Sequence, residues 1–490
     1  MATPLALGID LGTQSLKISL VCGESGTVVG RAAVPLELDQ DPGTGRAEQN
    51  PGDWAAALEE ALAALRVRVP DFPRRVVGVG VSGQQHGAVW VDENGDVLRP
   101  AKLWCDTSTA DEARELSRTL GRTLPPGFTA PKVLWTARHE PEVCARAHRL
   151  LLPHDYLNFL LTGEAWTEPG DASGTGFFDV VQRTYDEAAM TAIDPRLAGW
   201  LPPLASDVHR PGGRVSPEAS ARLGLAEGLP VALGSGDNMM SALGAGATTE
   251  GIVVLSLGTS GTVFGCSARP LGDSDGAVAP FCDALGAWLP LVCVMNMTGV
   301  TEDVASLTGL DHAALTRKAS KEVPGCGGLI YLPFLQGERV PNLPAATGTL
   351  HGLTPGGLTP GRWYRAAVEG ASMGLAEGVA HLEALDYPVH EVRVVGGGAA
   401  NALWLRTLAT LLDRPLRVLE DADTAALGAA IAGWRVRDGA YDLAADSDPW
   451  LAAAVRLRDD VFEPEPSWRT ALAQARARRG ELLRRLHDLG

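Results

Sequence analysis

Apolar and polar positions divide the chain into short buried strands and amphipathic helices. Leu5 to Val21 (LALGIDLGTQSLKISLV) reads as an apolar strand, a Leu-Gly-Thr turn and a second apolar strand. The same order returns at Ile252 to Phe264 (IVVLSLGTSGTVF), again with a Ser close behind the Thr. Two such hairpins, about 250 positions apart, predict two related halves. After the first hairpin, Asn50-Pro51 opens a helix on which Trp54, Leu58, Leu62 and Leu65 recur at helical spacing. Arg75 to Ser82 is a continuous apolar run short enough for a strand buried on both faces. Trp363 to Leu385 predicts a helix, Glu391 to Val395 a strand running into Gly396-Gly397-Gly398, and Asn401 to Leu412 another helix. Strands alternating with helices predict an α/β architecture in both halves. The Gly/Ala/Thr-rich stretch Gly244 to Gly251 marks the break. The expected domains are 1–245 and 246–490, with a ligand in the cleft between them. Ser467 to Leu489 is Arg-rich, with Leu472, Leu482, Leu483 and Leu486 on one side, and predicts a closing helix with a solvated basic face.

Composition narrows the class. The 490 residues are 45% hydrophobic and 21% charged, as in folded globular proteins of more than one domain. Lys and Arg number 42 against 59 Asp and Glu, so the net charge of −17 disfavours nucleic acid and anionic membrane surfaces as partners. Small phosphorylated ligands stay open, because backbone amides and a cation hold phosphate without a basic surface. The seven cysteines (Cys22, Cys105, Cys144, Cys266, Cys282, Cys293, Cys326) are scattered and never spaced Cys-x-x-Cys. That pattern predicts reduced thiols in a cytoplasmic protein rather than disulfides or a zinc site. Met1 to Gly12 has no basic region, and Asp10 interrupts its apolar run, so no signal peptide is expected. Gly251 to Ala268 has nearly the length of a membrane span, but its glycines and hydroxyls predict strands and turns.

Candidate chemistry begins with the nucleotide motifs. No Gly-Lys dipeptide occurs, which excludes a P-loop. Gly78-x-Gly80-x-x-Gly83 fits the dinucleotide fingerprint, but Gln84-Gln85-His86-Gly87 leads into an apparent strand, Ala88 to Asp92, and a turn ending at Gly95, not a helix. In Asp10-Leu11-Gly12-Thr13, Gly12 lets backbone amides approach phosphate, Thr13 offers a hydroxyl, and Asp10 is either a ligand for Mg²⁺ or a partner of its own turn. The second Leu-Gly-Thr, Leu257 to Thr259, favours two loops clamping one polyphosphate. Gly397-Gly398 is either a bare surface for an adenine ring or an ordinary turn. Asp237, in Gly234-Ser-Gly-Asp-Asn238, heads an apparent helix from Asn238 to Ala245, as an N-cap or as a general base. His86, Trp104 and Asp106 together with Asp237 make a set suited to a small polyol.

Ten stretches follow one another in an order that resembles the FGGY carbohydrate kinases. They are Gly8-Ile-Asp-Leu-Gly-Thr13, Ser82-Gly-Gln-Gln-His-Gly87, Leu103-Trp-Cys-Asp106, Pro126-Gly-Phe-Thr-Ala-Pro-Lys132, Leu152-Pro-His-Asp-Tyr156, Asp171-Ala-Ser-Gly-Thr175, Gly234-Ser-Gly-Asp-Asn238, Leu255-Ser-Leu-Gly-Thr-Ser-Gly261, Gly337-Glu-Arg339 and Gly396-Gly-Gly-Ala399. The resemblance implies two actin-like, ribonuclease H-type α/β domains closing on ATP and a sugar across an interdomain active-site cleft. It implies Asp237 as catalytic base and Asp10 as holder of the Mg²⁺ carried by ATP. Gln85, His86, Trp104, Asp106 and Asn238 would surround the sugar with Asp237. Gly12, Thr13, Gln14, Ser15, Lys17, Gly258, Thr259 and Ser260 would meet the phosphates, and Gly397, Gly398 and Asn401 the adenosine. The expected reaction is transfer of the γ-phosphoryl group to O5 of D-xylulose. Ribulose, arabitol or gluconate as acceptor and a non-enzymatic actin-like ATP-binding module are the alternatives, a dinucleotide oxidoreductase being a third. Gln85 stands where members acting on D-xylulose often have Met, and Cys105 where Asn is usual, which bears on sugar choice. The Arg-Glu-Thr-Thr of the family's glycerol kinases is missing, so glycerol is disfavoured. A homodimer is left open.

Overall fold

The two hairpins each seed a seven-stranded sheet. The computed structural model describes residues 2–205, 207–273, 276–438 and 449–487. The first sheet holds β1 (Leu5–Leu11), β2 (Ser15–Cys22), β3 (Val28–Pro35), β4 (Val76–Gly83), β5 (Gly213–Arg214), β6 (Pro230–Val231) and β7 (Ser235–Gly236). Its order is β5-β6-β4-β1-β2-β3, with β7 paired to the end of β4. The second sheet holds β8 (Ile252–Leu257), β9 (Gly261–Phe264), β10 (Ala279–Cys282), β11 (Trp288–Val294), β12 (Glu391–Val395), β13 (Leu416–Leu419) and β14 (Leu457–Phe462), in the order β10-β11-β9-β8-β12-β13-β14. In each sheet an antiparallel hairpin lies beside a parallel strand: β2-β1 beside β4, and β9-β8 beside β12. The internal repeat expected from the Leu-Gly-Thr turns is therefore a repeat of topology, and the α/β class holds.

Eight helices matter for the site: α1 (Pro51–Arg68), α2 (Thr129–His139), α3 (Pro153–Thr162), α4 (Asp237–Gly244), α5 (Pro360–Ala384), α6 (Ala402–Leu412), α7 (Thr424–Arg435) and α8 (Arg469–His487). Asn50 caps α1 by accepting the Gly52 N–H, and Pro51 occupies the first turn, where a missing N–H costs nothing. Trp54, Leu58, Leu62 and Leu65 are 0–1% exposed against the first sheet. Burying each such side chain contributes roughly 1.5–3 kcal/mol. Helix α5 packs Leu375 and Val379 onto Val263, Val292 and Val294 of the second sheet.

Helix α7 follows the second sheet in sequence yet lies on the first. A Cβ on Gly80 would come within 1.9 Å of the Ala429 carbonyl oxygen, and one on Gly78 within 2.0 Å of that of Gly433. The glycines of the apparent dinucleotide fingerprint thus let a helix backbone rest directly on a strand. Helix α4 crosses α7 just as closely, Gly244 against Thr424 and Gly428 against Met240. On α8, Leu472, Leu482 and Leu483 are buried, whereas Leu486 is 51% exposed, contrary to its expected place on the apolar side. Ala475, Leu482 and Leu483 pack on Ile330, Leu332, Phe334 and Met373, and Leu486 falls outside that stripe. Leu489 lies outside the described residues. Among the described residues no helix is long and apolar enough to cross a membrane, and all seven cysteines are free of disulfides.

Candidate active site

The first hairpin brings Asp10 to the end of β1, opposite Ser82 of β4. Its Oδ1 accepts the Ser82 hydroxyl at 2.8 Å, and the residue is 9% exposed, so the carboxylate is not engaged with its own turn. Burial pushes the Asp10 carboxyl up to about 6, against the lowering pull of the Ser82 bond and Lys17. The Lys17 ammonium is ion-paired with Asp423, the residue before α7, at 2.6 Å. The Thr13 hydroxyl donates to Gln84 Oε1 and accepts from Trp104 Nε1, both at 2.9 Å. Gln84 in turn donates to Gln49, whose own amide donates to the Thr13 carbonyl at 2.7 Å. The hydroxyl expected to meet phosphate is therefore committed to the hairpin's support.

What the turns leave open is backbone. Among the described residues no acceptor takes the N–H of Thr13 or Gln14, or of Thr259 or Ser260. The carbonyls of Gly258 and Thr259 accept from Thr298 and Met297 N–H at 3.0 and 3.1 Å, which fixes the second turn. Gln14 Nε2 reaches Thr259 Oγ1 at 3.4 Å, so the two turns face each other. Paired free amides of this kind form a concavity for an anion.

Asp237 is the first residue of α4, and Gly236 occupies the cap position, which removes the N-cap reading. Its Oδ1 accepts from Asn238 N–H at 2.9 Å and from Asn238 Nδ2 at 3.0 Å. Its Oδ2 has no hydrogen-bond donor among the described residues. Burial, then the charges of Asp10 and Asp171, push this carboxyl up to about 7. Asn238 also donates to Gln85 Oε1 at 2.9 Å and accepts the Thr262 hydroxyl of β9 at 3.1 Å, joining the two sheets beside the carboxylate.

His86 is buried in the left-handed region, with φ 68°, a conformation that needs its surroundings to hold it. Lys132 of α2, 0% exposed, supplies that hold. Its ammonium donates to the carbonyls of His86 at 2.9 Å, Phe128 at 3.2 Å and Gly127, and the Thr129 hydroxyl adds a second bond to His86 at 3.2 Å. Burial pushes Lys132 down to about 7. Burial, then Lys132 and Arg339, hold the His86 imidazole well below its usual range, so the ring is neutral. The ring stacks on Phe281 of β10 at 5.9 Å between centroids and tilts against Phe128 at 5.0 Å. His86 Nδ1 and Gln85 Nε2 are buried with no partner; the Gln85 amide lies against Gly236 and Asn238, and the His86 ring packs against Gly174.

Two expected ligands are engaged elsewhere. Asp106 is 0% exposed, and its oxygens accept from Ala47 N–H (2.9 Å), Lys102 (3.3 Å), Ser108 N–H (3.0 Å) and Ser108 hydroxyl (2.5 Å). It braces a loop instead of facing a sugar. Asn401 caps α6, accepting from Leu403 and Trp404 N–H, and donates to Thr316 and Tyr364 hydroxyls at 3.2 Å each. Only Gly397 and Gly398 remain as a platform: Gly397 is exposed over open space, while Gly398 packs on Leu257 at the end of β8. Sequence reasoning gave no role to Lys132 or Arg339, although both lie in quoted motifs. Phe281 and Thr262 carried no sequence signal, because they arrive from the other sheet.

The family model described as "FGGY family of carbohydrate kinases, N-terminal domain" matches residues 5–244, and the one described as its C-terminal domain matches 253–436. A xylulose kinase of Streptomyces coelicolor is 40% identical over 481 residues, covering 94% of each chain. One of Haemophilus influenzae is 37% identical over 450 residues, covering 88% of this chain and 91% of the relative. The crystal structure of a xyloylose kinase from Brucella ovis superposes with a TM-score of 0.89 at 32% identity, covering 99% of this chain and 100% of that one. With both family models matched in order and the facing turns and Asp237 between them, the chain belongs to the FGGY family of carbohydrate kinases.

Proposed function

We propose that this carbohydrate kinase transfers the γ-phosphoryl group of ATP to O5 of D-xylulose. The relatives that cover nearly all of the chain carry that sugar in their names. The observation that carries the chemical reading is a partner-free Asp237 Oδ2 next to Asn238, which also holds Gln85, whose Nε2 is unpartnered. A polyol has the hydroxyls to satisfy both.

In this reading the free amides of Thr13, Gln14, Thr259 and Ser260 receive the phosphates, and Gly397-Gly398 supports the adenine. Gln85 and His86 orient the sugar. Asn238 fixes Asp237 Oδ1, which leaves Oδ2 to take the O5 proton late in a loose phosphoryl transfer. Among the described residues no group of three or more His, Cys, Asp or Glu forms a protein-only metal site. Asp10, with one oxygen on Ser82 and its charge disfavoured by burial, fits a Mg²⁺ whose other ligands are phosphate and water. When bound, that ion neutralises charge on the phosphates.

The test is coupled ADP release over ketopentoses, polyols and sugar acids, with Asp237→Asn alongside. D-Xylulose is expected to give the highest kcat/KM, and Asp237→Asn to lose ~10²-fold or more in kcat, the scale of lost general-base help. Near-normal turnover in a folded Asp237→Asn enzyme removes Asp237 from the chemistry. A different preferred sugar overturns the substrate.

A further inference from the structure

The turn Gly337-Glu338-Arg339 is fastened to the end of β11. Glu338, 5% exposed, accepts from Met295 N–H at 2.7 Å and Arg339 N–H at 2.8 Å, and from Asn296 Nδ2 at 3.0 Å. Asn296 Nδ2 also donates to the Gly337 carbonyl at 2.7 Å. The Glu338 charge is thus consumed in fixing the turn, and the next side chain projects from a rigid base.

That side chain crosses to the first sheet's part of the pocket. A Cβ built on Gly127 would lie 3.0 Å from Arg339 Nη2 and 2.4 Å from the Trp104 carbonyl oxygen. On its other side its charge acts on the Cys293 thiol of β11, a strand paired with β9 at Thr262, the partner of Asn238. Its charge is felt at His86, Cys105, Lys132 and Cys293, drawn from both halves of the chain.

No carboxylate answers it. Among the described residues Arg339 makes no ion pair, whereas the buried Arg365 pairs with Glu369 and Arg99 with Glu48 and Glu140. A half-buried, permanently charged fork near the buried Lys132 leaves N–H donors that no protein carboxylate takes and that a ligand's oxygens can accept from. Gln85 Nε2, against Gly236 and Asn238, is a second donor without an acceptor.

We infer that Arg339 is a sugar-binding, specificity-determining residue contributed by the second half of the chain, its guanidinium donating to oxygens of the acyclic ketose. The inference rests on the D-xylulose reading and goes beyond it by assigning a ligand from across the cleft. Gly127 and the Trp104 carbonyl beside its guanidinium set it toward the sugar, although its base is fastened at Met295, two residues from Met297 at the second turn, so sugar and ATP are read separately.

Steady-state kinetics of Arg339→Met and Arg339→Lys, with sugar and ATP varied separately, test it. Loss of charged hydrogen bonds predicts a rise in sugar KM of roughly 10- to 100-fold for Arg339→Met, partly restored in Arg339→Lys, with KM for ATP within about twofold. An unchanged sugar KM overturns the assignment, and so does a rise confined to KM for ATP. Should Arg339→Met fail to fold, phenylglyoxal labelling of the wild-type enzyme, read at the Arg339 peptide by mass spectrometry, decides the same point. Protection by D-xylulose alone supports the assignment; protection by ATP alone, or by neither, overturns it. A wild-type enzyme inactive on D-xylulose but active on another sugar overturns the substrate reading, and the same KM comparison with that sugar then judges Arg339.

Discussion

Replacing Gly428 by Ala connects the packing of α7 to the chemistry at Asp237. A Cβ there would stand 1.8 Å from the Met240 carbonyl oxygen, 2.7 Å from its carbon and 2.9 Å from Gly244 N. All three are backbone atoms of α4, so no side chain can rotate out of the way. The shortest contact falls about 1.6 Å below ordinary van der Waals distance, so the helices must part by a comparable amount. Overpacking of this kind costs about 1–3 kcal/mol, against which the better helix propensity of Ala returns at most about 1 kcal/mol. The larger effect is kinetic. Met240 lies one turn after Asp237 on the same short helix, so the shift passes to the carboxylate proposed as base, and a misplacement of about 1 Å costs on the order of 10²-fold in rate. The expected result is a kcat near one hundredth of wild type, a melting temperature lowered by a few degrees and a largely preserved KM for ATP, read by ADP release and thermal denaturation. Gly199→Ala, which meets nothing within 4 Å, is the control and should change neither. A Gly428→Ala enzyme with wild-type kcat would refute the claim that this crossing positions Asp237.

Further expectations concern charge. Asp106→Asn should lower stability by about 2–3 kcal/mol, since a buried ion pair loses one partner while Lys102 keeps Glu48, yet leave the sugar KM within about twofold. A tenfold rise in sugar KM without a loss of stability would return Asp106 to the sugar site. Because burial and neighbouring charges raise Asp237 to about 7 and a base must be ionised to act, kcat/KM should fall as pH drops below that point and level off above it. A profile flat from pH 5.5 to 8 would contradict that assignment.

The hairpins, α1 with its Asn50 cap, the strand at Glu391–Val395 and the helix headed by Asp237 were legible because each depends on local signals: periodicity, a cap residue, a glycine at a turn. Asp10, Gln85, His86 and Asp237 were legible as motif members. Asp106 and Asn401 misled for a physical reason. A carboxylate after a strand and an amide before a helix look alike whether they face a ligand or brace the backbone, and only their hydrogen-bond partners decide. Thr13 illustrates the same point, its hydroxyl being taken by Gln84 and Trp104 from 71 and 91 positions away.

Residue order alone determined that two glycine-bearing hairpins open two α/β halves, because strand and turn formation draw on neighbours within a few positions. Tertiary structure decided which turn amides keep no protein acceptor among the described residues, that α7 returns to the first sheet, and that Thr262, Phe281 and Arg339 stand opposite Asn238, His86 and Gly127. Those pairings join residues as far as 212 positions apart. No local pattern encodes them, since they exist only once both sheets have packed.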